Sequence, residues 1–219
     1  QQPEIIVLDE PTSFLDIHHK IKLLNILRKM AKEKNISVIM SLHEIDLAPK
    51  ISDMIMCVKG STIKYYGTPE EVFKDKIIEE LYNLESNRYN MFFGSIELPK
   101  VAGVPEIFVV AGNGCGIPYY RELQKNGLAF RTGILYENDI DYQVARALGS
   151  EVFVAKPFQP IEKSLYEKAY EGLKKSKYLI DAGTEIGEHN KLNKQLIDEA
   201  KNLNIKIVHN LQEFLTVET

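Results

Sequence analysis

Apolar residues along this chain come in two alternating patterns: short unbroken runs, and longer stretches where they recur every three or four positions. The opening run, Ile5-Ile6-Val7-Leu8, is continuously apolar and predicts a central parallel strand covered on both faces. Residues 17–34 carry Ile21, Leu24, Ile26, Leu27 and Met30 between charged positions, which predicts a helix with an apolar inner stripe and a charged outer face. Residues 36–42 then read as a strand, 45–50 as a short helix and 54–66 as a hairpin turned at Lys59-Gly60. Two short helices follow, one from Pro69 and one over 76–84.

The pattern restarts after a break. Polar Glu85-Ser86-Asn87-Arg88, then Met91-Phe92-Phe93, then Pro99, Gly103 and Pro105 mark a linker with an apolar middle. Beyond it, strands are predicted over 107–111, 129–135, 151–155, 178–181 and 205–209, with helices over 119–126, 140–148, 161–175 and 191–202. Strands alternating with helices at this spacing imply a parallel sheet with right-handed crossovers, a small Rossmann-like domain. The fold class is therefore α/β, organised as 1–85, a linker over 86–103, and 104–219.

Composition changes this picture little. The 219 residues suffice for two modest domains, and a net charge of -4 with acids and bases interspersed speaks against a nucleic-acid partner. Cys57 and Cys115 are far apart, lack metal-ligand spacing and suit a reducing compartment. No apolar run approaches membrane-spanning length.

Chemistry concentrates where Leu8 runs into Asp9-Glu10-Pro11-Thr12-Ser13. A strand ending in adjacent carboxylates is how a phosphoryl-transfer enzyme presents a magnesium ligand and a water-orienting base at one sheet edge. The other reading is a plain strand end before a helix capped by Thr12 or Ser13. Successive strand side chains face opposite ways, so Asp9 and Glu10 can share a site only if the strand stops before them. Pro11 favours that by biasing Glu10 to an extended or turn conformation.

With Ser13-Phe14-Leu15-Asp16 behind it and Ser41-Leu42-His43-Glu44 after the next helix and strand, this segment resembles the ATPase subunit of an ABC transporter. The matching parts are the Walker B strand, the D-loop and the switch histidine. Val58-Lys59-Gly60-Ser61-Thr62-Ile63 and Tyr66-Gly67-Thr68-Pro69-Glu70-Glu71-Val72 extend the likeness, most closely to the iron-chelate, haem and cobalamin importer group. The resemblance implies the C-terminal portion of a P-loop NTPase domain, with ATP and Mg²⁺ as cofactors. It assigns Mg²⁺ to Asp9, activation of the attacking water to Glu10, the γ-phosphate contact to His43 and a reach across the subunit dimer to Asp16. The implied partners are a second copy of the ATPase and transmembrane permease subunits, and the implied location is cytoplasmic, on the inner face of the membrane.

No Gly-x-x-x-x-Gly-Lys-Ser/Thr string occurs in the chain, nor the family's signature or Q-loop. The resemblance places those parts ahead of Gln1, and Gln1-Gln2-Pro3, without an initiating Met, reads as the tail of the helix after the signature. The expectation is a C-terminal fragment that does not hydrolyse ATP by itself.

In the second unit the first strand ends in Gly112-Asn113-Gly114-Cys115-Gly116-Ile117-Pro118, a glycine-rich turn opening a helix. Its amides can form an anion nest backed by the helix dipole, or the glycines can simply permit a tight turn. Ile117 stands where a dinucleotide fingerprint has its third glycine, and no Walker lysine is present. Candidate ligand residues are Gly112, Asn113, Gly114, Gly116 and Asp181, with Glu137, Asp139, Lys156 and Glu185 at the same expected edge. Each acid reads equally well as a helix cap or a solvated charge. A helix N-terminus lowers a thiol pKa, but no histidine lies close to Cys115 in sequence; His189 and His209 approach only through the fold, and catalysis by Cys115 is not expected. The unit is either a regulatory module for a small metabolite or a ligand-free dimerisation module.

Overall fold

The structure, a computed structural model, describes residues 3–86, 88–210 and 214. It divides into two compact units, Gln1–Ser95 and Ile96–Thr219, with the division inside the segment expected to be a linker.

In the first unit β1 (Ile5–Leu8) and β2 (Ser37–Met40) run parallel, Ile5 opposite Ser37 and Leu8 opposite Met40, joined by α1 (Ile17–Lys34). Asp16 caps α1 by accepting from the His19 amide at 2.9 Å, and Asn35 closes it in the left-handed conformation (φ 52°). The expected helix over 45–50 is a turn followed by α2 (Ala48–Ile51), because Pro49 suits a first helical turn and not a later one. The hairpin is β3 (Ile55–Lys59) and β4 (Thr62–Gly67), turned at Gly60 with φ +62°. A capping box between Thr68 and Glu71 starts α3 (Pro69–Val72), and α4 (Asp75–Tyr82) ends at left-handed Asn83. Two short strands, β5 (Tyr89–Asn90) and β6 (Ser95–Ile96), interrupt the expected linker.

Two expectations for this unit do not hold. β1 is not covered on both faces: Ile5 is 58% and Val7 72% exposed, while Ile6 and Leu8 are half-buried. Alternation across a two-stranded ribbon gives one sheltered face, and among the described residues nothing covers the other. Nor is the outer face of α1 wholly charged. Leu24 and Leu27 point inward, but Ile21 and Ile26 are about half exposed and line a shallow groove of about 380 Å³ with His18, Lys22, Asn25 and Lys29.

The second unit holds a five-stranded, all-parallel sheet. In sequence its elements are β7 (Ile107–Val110), α5 (Ile117–Lys125), β8 (Phe130–Tyr136), α6 (Ile140–Leu148), β9 (Glu151–Ala155), α7 (Lys163–Lys174), β10 (Tyr178–Asp181), α8 (Lys191–Asn202) and β11 (Lys206–Val208). The spatial order is β11-β10-β7-β8-β9, so the chain winds outward from β7 through β8 to β9, then returns to the other side of β7. That is a doubly wound sheet, and its winding reverses beside β7. Ile107 and Val109 pack with α5 and α6 on one face; Phe108 and Val110 pack with α7 and α8 on the other. All of β7 is buried, as an unbroken apolar run requires. A register break between Thr132 and Leu135 frees the Ile134 backbone, which the buried Asn193 of α8 satisfies at both its N–H (2.8 Å) and its carbonyl (3.0 Å).

Candidate functional site

β1 ends at Leu8, so Asp9 and Glu10 are free of the strand's alternation and turn towards one place. Glu10 takes φ +43°, a left-handed conformation that costs a non-glycine residue on the order of 1 kcal/mol. Ser41, just past β2, holds the turn: its hydroxyl donates to Asp9 Oδ1 at 2.6 Å and accepts from the Glu10 amide at 2.7 Å. Glu10 Oε1 then lies 2.6 Å from His43 Nε2, and Ser13 donates to Glu10 Oε2 at 3.0 Å. With Glu10 ionised, that pairing needs the proton on Nε2. The parallel pairing of β1 and β2 therefore sets two loops side by side, with Ser41 joining Asp9 to the Glu10 amide and the Glu10 carboxylate meeting His43.

Below this surface cluster lies a more sheltered contact. Thr12 is wholly buried and donates to Glu44 Oε2 at 2.9 Å, while Lys20 of α1 donates to Glu44 Oε1 at 2.5 Å. The lysine, more than the threonine, holds the Glu44 carboxyl below its ordinary range. Sequence reasoning offered Thr12 only as a helix cap, a place that Asp16 takes, and gave no role to Ser41, Lys20 or Glu44; the signal was there in Thr12 and Glu44, polar positions inside the two quoted motifs. Asp16 is engaged locally: its carboxylate accepts from the His19 amide and meets His19 Nδ1 at 2.9 Å, contacts that lower its pKa.

Asp9, exposed at a strand end, offers the hard oxygen donor that magnesium prefers, and one carboxylate with water and phosphate oxygens is an ordinary set for that ion. Among the described residues no group of three or more His, Cys, Asp and Glu side chains could enclose a metal unaided. The site thus fits Mg²⁺ carried on a nucleotide. A cradle for the phosphates is not part of this sequence.

In the second unit the glycine-rich turn lies where the winding reverses, the usual place for a ligand crevice. Three of its amides already bond carboxylates. Asn113 donates to Asp139 at 3.0–3.1 Å; Gly116 donates to both oxygens of the buried Asp141, and Ile117 to one, at 3.0–3.1 Å. An anion on these amides has to displace a carboxylate of the protein itself. Gly112 (φ +156°) is pressed between neighbours: a Cβ there falls 2.8 Å from Thr184 Oγ1 and 3.3 Å from Asp139 Oδ2. A Cβ on Gly114 meets Ile140 at 3.3 Å. Burial is the main cause that pushes the Cys115 thiol up, which leaves it a poor nucleophile.

Of the other candidates, Asp181 accepts from the Gly183 amide at 3.0 Å and stands 3.6 Å from His209 Nδ1, a meeting the sequence did not reveal. Glu137 and Lys156 are exposed, and Glu185 binds Asn190 through its backbone carbonyl. His189 offers its carbonyl to Tyr136.

A family described as MJ0874 matches residues 130–215. The chain is 43% identical over 127 residues to the uncharacterized ABC transporter ATP-binding protein MJ0873 of Methanocaldococcus jannaschii, covering 58% of this chain and 44% of that protein. It is 25% identical over 169 residues to the cobalamin import ATP-binding protein BtuD of Halobacterium salinarum, covering 74% and 42%. With the achromobactin transport ATP-binding protein CbrD of Dickeya dadantii it shares 34% identity over 85 residues, covering 39% and 32%. The chain spans less than half the length of these relatives. Shikimate dehydrogenase from Thermotoga maritima overlaps 93% of this chain and 85% of its own at a TM-score of 0.24 and 14% identity, too slight a likeness to carry an argument. The chain is α/β throughout, and it is similar to the ATP-binding proteins of ABC transporters, which are P-loop NTPases.

Proposed function

We propose that residues 1–85 supply the water-activating half of an ATPase site in an ABC importer subunit, with Asp9 as the magnesium ligand and Glu10 and His43 at the γ-phosphate. The observation that carries this reading is the Glu10–His43 pair at 2.6 Å, set beside Asp9 by Ser41. Asp9 would hold Mg²⁺, which would supply positive charge to offset the negative charge that builds up on the phosphate. Glu10 orients the attacking water and draws on its proton, His43 fixes the Glu10 carboxylate, and Asp16 faces a second subunit. The names of the relatives favour import of an iron chelate or cobalamin, with permease subunits as membrane partners and a site of action at the cytoplasmic face. Among the described residues no helix is long and apolar enough to cross a membrane, which suits a subunit whose pore is another chain.

The test is ATP turnover by the subunit carrying these residues. Glu10→Gln is expected to lower kcat by about 10²–10⁴-fold while nucleotide binding persists; a variant that turns over ATP at the native rate removes Glu10 from the chemistry. The chain by itself is expected to release no phosphate from Mg-ATP, since its sequence holds no phosphate cradle.

For residues 104–219, the occupied turn favours a module that works through its surface over one that senses a phosphate-bearing metabolite at Gly112, Asn113, Gly114 and Gly116. Asp181, paired with His209, is the remaining candidate for a small effector.

A further inference from the structure

The Glu10–His43 contact is short, but both side chains are open to water, at 45% and 73% exposure. Solvent screens such a pair, and by itself it holds two loops together weakly. Glu44, the next residue after His43, is built differently. Its side chain is one-fifth exposed and each carboxylate oxygen has its own donor, Thr12 on one and Lys20 on the other. Its backbone carbonyl accepts from the Leu47 and Ala48 amides, so the residue is fixed at both ends. Thr12 sits two positions after Glu10, and Lys20 belongs to the helix that follows. One carboxylate therefore ties the turn carrying Glu10, the first turns of α1 and the loop carrying His43 into a single body.

We propose that Glu44 is a positioning residue of the nucleotide site, whose contacts with Thr12 and Lys20 hold the His43 loop against the Glu10 turn and keep the two side chains paired. This rests on the reading of Glu10 and His43 given above and names the group that maintains their geometry. The cause is steric and electrostatic: a buried threonine hydroxyl needs its acceptor, and an ionised carboxylate beside an ammonium fixes direction as well as distance. His43 and Glu44 are neighbours in the loop after β2, so fastening Glu44 through its side chain and its carbonyl limits where the His43 ring can reach.

The experiment reads the His43 ring by nuclear magnetic resonance in the whole chain at one fixed pH, in a double-mutant cycle. In the otherwise native chain, Glu10→Gln is expected to shift the His43 Nε2 resonance, because a charged partner is lost. In a Glu44→Ala background the same Glu10→Gln change is expected to leave that resonance nearly unmoved, and in Glu44→Gln, which keeps an acceptor for Thr12, the response is expected to return in part. A response of full native size in Glu44→Ala overturns the positioning role while leaving the Glu10–His43 pair standing. No response in the native chain overturns the pair and the proposal together. Lys20→Met serves where Glu44→Ala does not fold: a reduced response supports the proposal, and a response of native size overturns it.

Discussion

Gly116 shows how little room single residues have at the glycine-rich turn. A Cβ added there lies 2.6 Å from both Ala111 Cβ and the Tyr120 ring, and neither neighbour can give way. Ala111 and Tyr120 are buried, the Tyr120 ring stacks on Phe130 with centroids 5.1 Å apart, and its hydroxyl bonds Thr132 at 2.8 Å. Gly116→Ala is therefore expected to destabilise the second unit by about 1–3 kcal/mol, the usual cost of overpacking, as measured by urea unfolding. An unchanged midpoint shows that the strand-to-helix turn relaxes freely. The same closeness gives these glycines a reason that needs no ligand. Their spacing falls short of a dinucleotide fingerprint at Ile117; Gly116 serves helix-against-strand contact, and Gly112 serves its approach to Thr184.

Elements were more legible than the links between them. The strands over 151–155 and 178–181 and the helices over 140–148 and 191–202 stand where the apolar periodicity put them, because each helix buries one face and each strand both faces against its neighbours. The tie between α5 and α6 left no periodic trace. It is made by Asp141, in the first turn of α6, which accepts the two amides that open α5. Desolvation raises the Asp141 pKa more than those amides lower it, so the net shift is upward. A folded-state value above the unfolded one, about 3.9, means that the carboxyl holds its proton more readily in the native state than in the unfolded one. The stability this group contributes is full below that unfolded value and is lost as pH rises through the folded value. Asp141→Asn keeps an acceptor for the amides and cannot ionise. Relative to the native chain, its unfolding free energy is expected to gain as pH rises from about 4 towards neutrality. Parallel pH profiles of the two proteins show that amide bonding, and not desolvation, dominates at this carboxylate.

At the scale of the whole molecule the two units bury their apolar residues unequally. Most buried apolar side chains belong to the second unit, where β7 is covered on both faces and two cores flank one sheet. Most exposed large ones belong to the first, where Ile5, Val7 and Ile39 lie on the open face of a two-stranded ribbon and Met56, Val58, Ile63 and Tyr66 on a hairpin. The sequence did not reveal this difference, because a strand covered on both faces and a strand with one open face can both read as Ile-Ile-Val-Leu; the pattern records what a strand tends to bury, and partners elsewhere decide whether it does. Local stability follows coverage. Opening β1 from β2 exposes little apolar area that is not already wet, whereas opening β7 from β8 and β10 breaks two ladders and both cores. Native-state hydrogen exchange of the whole chain is therefore expected to protect the β7 and β10 amides at least ~100-fold more than those of β1 and β2, a gap of roughly 2.7 kcal/mol in opening free energy. Equal protection means that the open ribbon face is covered in solution, for instance by a second copy of the chain. Repeating the measurement at lower protein concentration separates these cases, since protection that comes from self-association falls on dilution and protection that belongs to the fold does not.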